Sequence, residues 1–391
     1  MNWKKEISEI EKRAAMSESM GGAEKVKLQH KHGKLTVRER IELLTDKGSF
    51  HEIGKLAGQS EYDEKGELVS FKPSNFVMGT ATIDGRQIIV SGDDFTVRGG
   101  SADASIGEKR IHAEGIASEL GLPHIRLVDG MGGGGSVKTI ETSGRTYIPR
   151  VAGWEMVVAQ LAKSPSISLA LGSVAGIGAA RVTSSHYSVI VKSSAQTMIA
   201  GPALVEWANL GEVNKEELGS SKIHTRNGSV DDEANSEKAA FEMARTFLSF
   251  LPDSVDHIPS RIPCSDPTNR REETLAKIVP KDPRKVYKMR PIINFAFDKD
   301  SFFEVGKNWG KSVITGLARL DGISVAVFAE DPMIYGGAWT ADSCRKLIRL
   351  CDLASTFHLP LVHLVDCPGF LIGKESEESG TIRFGSQALA A

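Results

Sequence analysis

One run of small residues, Gly172-Ser173-Val174-Ala175-Gly176-Ile177-Gly178-Ala179-Ala180, is suited to chemistry that needs no reactive side chain. It follows a stretch with strand character (Ser166 to Leu171) and precedes one with helical character. Backbone N–H groups at Gly176 and Ile177 would therefore gather at a helix N-terminus, where the dipole favours negative charge. Such donors form an oxyanion hole, and each is worth about 3 kcal/mol of transition-state stabilisation. A tight strand-to-helix packing turn needs the same small residues, and both readings stay open at this point.

Other chemical signals are weaker. Gly130-Met131-Gly132-Gly133-Gly134-Gly135 matches G-x-G-x-x-G literally. The next apparent strand, Ile167 to Leu171, ends without the acidic residue that would hold a dinucleotide ribose, so a glycine loop lining a pocket is the better account. Gly306 to Ser312 has three residues between its glycines where a phosphate-binding loop needs four. Neither G-x-S-x-G nor H-E-x-x-H occurs, so the commonest hydrolase signatures are missing. His186 directly follows Ser185 and does not face it on a helix, which makes it a packing or surface histidine. The basic stretch Lys25 to Lys34 could meet the phosphates of a nucleotide, but reads more simply as a solvated segment.

The elements that must position these residues emerge from a repeat. Residues 79–132 align without a gap on residues 316–369 at a constant offset of 237, with 19 of the 54 pairs identical. Asp84-Gly85, Gly99-Gly100, Lys109, Pro123 and Asp129 correspond to Asp321-Gly322, Gly336-Gly337, Lys346, Pro360 and Asp366. Each copy reads as strand, Asp-Gly turn, strand, Gly-Gly loop, helix, and a buried strand ending in Asp. The helices are expected at Ile106 to Leu120 and Asp342 to Phe357, and the last strands at Ile125 to Val128 and Leu361 to Val365. Strands alternating with helices imply α/β layering around a covered sheet. The Pro-, Asp- and Arg-rich stretch Asp253 to Lys288 reads as a connector, with the division near residue 255. The counterpart of the Gly176 loop would fall beyond Ala391, so the second copy is expected to be incomplete.

Composition narrows the function classes. With 48 basic and 50 acidic residues, a formal charge of -2 supplies no field to hold nucleic acid or an anionic membrane. No run reaches the ~18 apolar residues of a membrane helix. The four cysteines, Cys264, Cys344, Cys351 and Cys367, form no C-x-x-C pair, which favours a reduced compartment, the cytoplasm or an organelle (mitochondrial) matrix. Trp3, Ile7, Ile10 and Ala14 at helical spacing among charges predict an amphipathic N-terminal helix and not a signal peptide.

Taken together, HGKLTVRERIELLTDKGSFHEI (32–53), DFTVRGGS (94–101), GPALVEWANLGEVNKEELGSSKIHT (201–225), DGISVAVFAEDP (321–332) and LPLVHLVDCPGFLIGKESEESGTIR (359–383) resemble successive landmarks of the carboxyltransferase (β) subunits of biotin-dependent acyl-CoA carboxylases, of the propionyl-, methylcrotonyl- and acetyl-CoA type. The resemblance implies an α/β chain of two tandem crotonase-like (ClpP/crotonase) domains. These would be an N-terminal carboxyltransferase domain at 1–255 and a C-terminal one, incomplete, at 256–391. It implies a homo-hexamer working with a biotin carboxylase and biotin carrier subunit, with biotin on the separate carrier, a CoA thioester as substrate and no metal. Gly176 and Ile177 take the place of the family's N-terminal oxyanion pair, with Ile177 departing from the usual glycine. Gly99, Gly100, Gly132, Gly133 and Gly178 are the expected substrate-binding positions. DGMGGGG (129–135) departs from the family's Asp-Ser-Gly-Gly-Ala-Arg pattern. The alternatives are a biotin-dependent decarboxylase α subunit, a biotin-independent crotonase-type hydratase or thioesterase, and a non-catalytic CoA-binding or assembly subunit.

Overall fold

The computed structural model describes residues 3–100, 106–130, 153–282 and 284–391. They fall into two compact units, Met1–Ser221 with Glu233–Glu242, and Lys222–Asp232 with Met243–Ala391.

In the first unit the chain begins with α1 (Lys4–Glu18), α2 (Ala23–Lys31) and α3 (Val37–Leu44). Ile7 and Ile10 are exposed on the expected N-terminal helix, as is Trp3 immediately before it. α3 starts at Thr36, whose hydroxyl accepts the Glu39 N–H while the Glu39 carboxylate accepts the Thr36 N–H. This reciprocal cap satisfies two of the donors a helix start leaves open.

The strands follow in order: β1 (His51–Glu52), a hairpin of β2 (Gly58–Tyr62) and β3 (Leu68–Pro73), then β4 (Phe76–Ile83) and β5 (Arg86–Asp93). After α4 (Gly107–Leu120) come β6 (His124–Val128), α5 (Trp154–Lys163), β7 (Ser166–Ala170) and β8 (Ser173–Ala175). α6 (Ile177–Thr183), β9 (Tyr187–Val191), β10 (Gln196–Met198) and β11 (Asp232–Ala234) complete the set. The main sheet runs β1-β4-β5-β6-β7-β9-β11, antiparallel through β5 and parallel from β5 to β9. All residues of β6, β7 and β9 are buried, as parallel strands covered on both faces require. β8 pairs in parallel with β10 in a separate two-stranded sheet.

The second unit repeats the first four strands of that order. α7 (Met289–Ala296) precedes β12 (Phe303–Val305), β13 (Val313–Leu320), β14 (Ile323–Glu330), α8 (Ala341–Thr356) and β15 (Leu361–Leu364). The sheet order β12-β13-β14-β15 is antiparallel, antiparallel, parallel, as in β1-β4-β5-β6. Met289, Ile293 and Phe297 pack with Ile314, Val325 and Val327 in its core.

The repeat reaches further upstream than the ungapped alignment showed. Arg38, Asp46, Lys47, Ser49, Phe50 and Glu52 match Arg290, Asp298, Lys299, Ser301, Phe302 and Glu304 at an offset of 252. The register changes across the β2–β3 hairpin, to which the second unit has no counterpart among the described residues. The matched residues do the same work twice. Arg38 donates to Glu52 at 2.8 and 3.2 Å, and Arg290 to Glu304 at 2.9 and 2.6 Å. Asp46 accepts the N–H groups of Asp84 and Gly85, and Asp298 those of Asp321 and Gly322. Both turns carry positive φ at both central residues (52° and 78°; 51° and 77°), the type I′ geometry that favours Asp-Gly.

Candidate functional site

The Asp that closes the buried strand of the first copy, Asp129, is fully buried at the end of β6. Lys34 Nζ donates to its Oδ1 at 2.7 Å, Arg40 Nη1 to Oδ2 at 2.7 Å, and Gln29 Nε2 to Oδ2 at 3.3 Å. Arg40 also grips Glu237 through Nε (2.8 Å) and Nη2 (2.7 Å). Burial pushes the Asp129 carboxyl up, but Arg40 and Lys34 outweigh it and hold the group below its ordinary value. Burial lowers the pKa of Lys34, with Asp129 opposing. Gln29 and Lys34 lie in the stretch expected to be solvated, and they are buried instead. Their signal was obscured because nothing in a run of lysines and histidines marks which one faces inward.

This ion pair fixes the start of the small-residue loop. A Cβ on Gly172 would lie 1.8 Å from Asp129 Oδ1 and 2.6 Å from Lys34 Nζ, so only glycine fits. From there β8 leads to Gly176, whose φ of 59° and ψ of −125° are open to glycine alone. The Gly176 N–H is turned toward β10 and its following residue, donating to Met198 O and Ile199 O at 3.1 Å each. Ile177, Gly178 and Ala179 then open α6, where their N–H groups have no intrahelical acceptor, and no acceptor for them is found among the described residues. Gly176 is exposed, Ile177 half-buried and Gly178 buried. The free donors are thus Ile177, Gly178 and Ala179, the first two directly following Gly176, which shapes the turn before them.

Gly99 and Gly100 both adopt left-handed φ (63° and 66°). Their N–H groups are spent on Phe95 O and Val97 O. A Cβ on Gly100 would meet Asp129 O and Gly130 Cα at 2.9 Å, so this glycine permits the loop to pack against the end of β6. Gly132 and Gly133, with the rest of the glycine run beyond Gly130, lie outside the described residues. His186 is structural: its Nδ1 accepts the Ser166 N–H at 3.0 Å. Among the described residues no group of three or more His, Cys, Asp or Glu is arranged to hold a metal, and no helix is long and apolar enough to cross a membrane.

Residues 28–391 match the model of the carboxyl transferase domain. The chain belongs to that family. It is 32% identical to the propionyl-CoA carboxylase beta chain of Roseobacter denitrificans over 388 residues, covering 98% of this chain and 75% of that protein. It is 30% identical over 397 residues to the biotin-dependent acetyl-/propionyl-coenzyme A carboxylase beta5 subunit of Mycobacterium tuberculosis, covering 98% and 71%. Among solved structures, the transcarboxylase 12S hexamer core with methylmalonyl-coenzyme A and methylmalonic acid bound superposes with a TM-score of 0.87 at 27% identity, covering 99% of this chain and 74% of that one. The α/β architecture is therefore the family's crotonase-like fold, and the carboxyltransferase is an enzyme that spans about three quarters of the length of these relatives.

Proposed function

We propose that this carboxyltransferase moves CO2 from carboxybiotin to the α carbon of a short or branched acyl-CoA thioester. The observation that carries the reading is the pair of unpaired N–H donors, Ile177 and Gly178, opening α6 behind a turn that only glycine can make. Removal of the α-proton converts the thioester carbonyl into an enolate oxygen, and two fixed N–H donors beside that oxygen stabilise the charge as it develops. Carboxybiotin, delivered as co-substrate on a separate carrier subunit, supplies the CO2 and, once decarboxylated, the base. The enolate carbon then bonds to CO2 and the carbonyl reforms. The half-buried Ile177 side chain adds bulk beside these donors, which would favour small acyl groups.

The proposal includes the N-terminal (1–255) and C-terminal (256–391) carboxyltransferase domains, a homo-hexamer, a biotin carboxylase and carrier partner, and residence in the cytoplasm or a mitochondrial matrix. The test is biotin-dependent decarboxylation of methylmalonyl-CoA, the reverse reaction, with free biotin. Gly176→Val, which cannot adopt the turn that aims the Ile177 and Gly178 donors, should lower kcat about 100-fold while KM changes less than threefold. Turnover of acyl- or enoyl-CoA without biotin would instead favour a hydratase or thioesterase.

A further inference from the structure

Behind α6 lies a buried ionic chain that the second copy lacks. Arg126, on β6, is fully buried and shares a strand face with His124. Its Nε and Nη2 donate to Glu114 Oε1 (2.8 Å) and Oε2 (2.7 Å) on α4. Its Nη1 donates to Ser184 O at 2.7 Å, with Arg181 O at 3.5 Å and Ser168 Oγ at 3.4 Å. Ser168 Oγ itself donates to Arg181 O at 3.1 Å. His124 completes the chain, with Nδ1 3.1 Å from Glu114 Oε2 and Nε2 2.8 Å from Ser91 Oγ. That Ser-His-Glu order is also the order of a hydrolytic triad, but Ser91 and His124 are wholly buried and no substrate reaches them. At the repeat offset, Ser91, Glu114, His124 and Arg126 become Phe328, Cys351, Leu361 and His363, and Phe328 stacks on His363 at 3.8 Å.

Arg181 O and Ser184 O are the carbonyls at the C-terminal end of α6. A helix leaves its last carbonyls without intrahelical donors, and a cation there complements the dipole. Arg126 supplies both, and Glu114 fixes the guanidinium plane. At about 1.5 Å per residue, the seven-residue helix places its opening N–H groups only about 10 Å from that anchor. We infer that Arg126, locked by Glu114, is a positioning residue for carboxyl transfer: it sets the axial placement of α6 and so the aim of the Ile177 and Gly178 donors. This inference rests on the oxyanion reading above.

Arg126→Met alone leaves the buried Glu114 only His124 and, at 3.6 Å, Arg181 Nη2, and is expected to destabilise the fold, so the deciding variant is Glu114→Gln/Arg126→Met. Replacing both charges by groups of similar size commonly preserves folding. Arg126→Lys, which keeps the charge but not the fork, is the milder companion. With methylmalonyl-CoA and free biotin on the full chain, the double variant should lose at least tenfold in kcat with KM within twofold. Arg126→Lys should fall between it and the unmodified protein, and carries the test if the double variant does not fold. A folded variant with unchanged kcat, or with KM rising in step, overturns the inference. Gly176→Val, measured alongside, separates the two ideas. If it loses turnover while the Arg126 variants do not, the anchor is wrong and the oxyanion reading stands; if neither set loses turnover, the oxyanion reading falls and the inference with it.

Discussion

The two copies of the repeat share a backbone and differ in the charge they bury upon it. In the first, Asp129 is closed over by Lys34 and Arg40. In the second, its counterpart Asp366 is exposed and accepts a hydrogen bond from the Tyr287 hydroxyl. Asp93 and Glu330, at the ends of β5 and β14, accept the N–H of Asp129 and Asp366 in turn, so the skeleton is common down to single bonds. Residues that a turn or a close approach demands have been kept in both copies, as has the Arg38–Glu52 and Arg290–Glu304 ion pair, whereas the ionic partners of the strand-end aspartate have not. The ionic lock on the strand-end aspartate therefore distinguishes the first copy.

The largest test of that difference is removal of Arg40. Arg40→Met would leave Asp129 and Glu237 both buried without their shared partner, a loss of about 3–5 kcal/mol. In the second copy Tyr287→Phe removes one exposed hydrogen bond, for about 1 kcal/mol or less. Chemical denaturation of both variants measures the contrast, and equal losses would erase it.

The paired lysines sharpen it next. Lys109 and Lys346 occupy the same place, each with its Cε close to where a Cβ would project from Gly54 or Gly306 (3.3 and 3.2 Å). Burial pushes both down to about 8. Lys346 Nζ donates to Trp309 O at 3.1 Å and Val313 O at 2.7 Å, whereas no acceptor for Lys109 Nζ is found among the described residues. Lys346→Met should thus cost about 2 kcal/mol at pH 7, and Lys109→Met should be neutral or stabilising. The pH dependence follows the same logic. Between about pH 8 and the ordinary lysine value of 10.5 the unfolded chain holds a proton that the native lysine has released, so stability rises with pH across that window. Thermal melts of Lys109→Met should show a smaller rise there than the unmodified protein, and an undiminished rise would mean that Lys109 titrates normally.

What the sequence made legible follows from what the backbone constrains. The Asp-Gly turns, the Gly-Gly loops and the strands ending in Asp129 and Asp366 were readable because each is tied to a conformation few residues can adopt. The repeat's upstream half, from Arg38 to Glu52 and from Arg290 to Glu304, was hidden by the change of register across the β2–β3 hairpin. The buried partners Lys34, Arg40, Glu114 and Glu237 were hidden for a different reason. Each sits among similar charged residues, and only the tertiary fold decides which of them turns inward. The loop at Gly176 lay between: its location was legible, but the direction of its N–H depends on β10, about twenty residues later in the chain.

The smallest effect is the one that tests the shared skeleton itself. Gly100 and Gly337 have positive φ, and a Cβ on either would lie 2.9 Å from the carbonyl oxygen of Asp129 or Asp366. Gly99 and Gly336 also have positive φ, but a Cβ there meets nothing closer than 3.8 Å. Alanine at any of the four bears the left-handed backbone penalty of about 1 kcal/mol. Only at Gly100 and Gly337 must it also push a strand end aside. Gly100→Ala and Gly337→Ala should therefore each exceed their neighbours by about 1 kcal/mol in denaturant melts, and by similar amounts in the two copies. Because the exposed Asp366 strand end has no ionic lock comparable to that on Asp129, any asymmetry should appear as a smaller excess at Gly337, where the strand end can yield. An excess at Gly337 larger than at Gly100 would show that rigidity at this junction does not come from the buried charges.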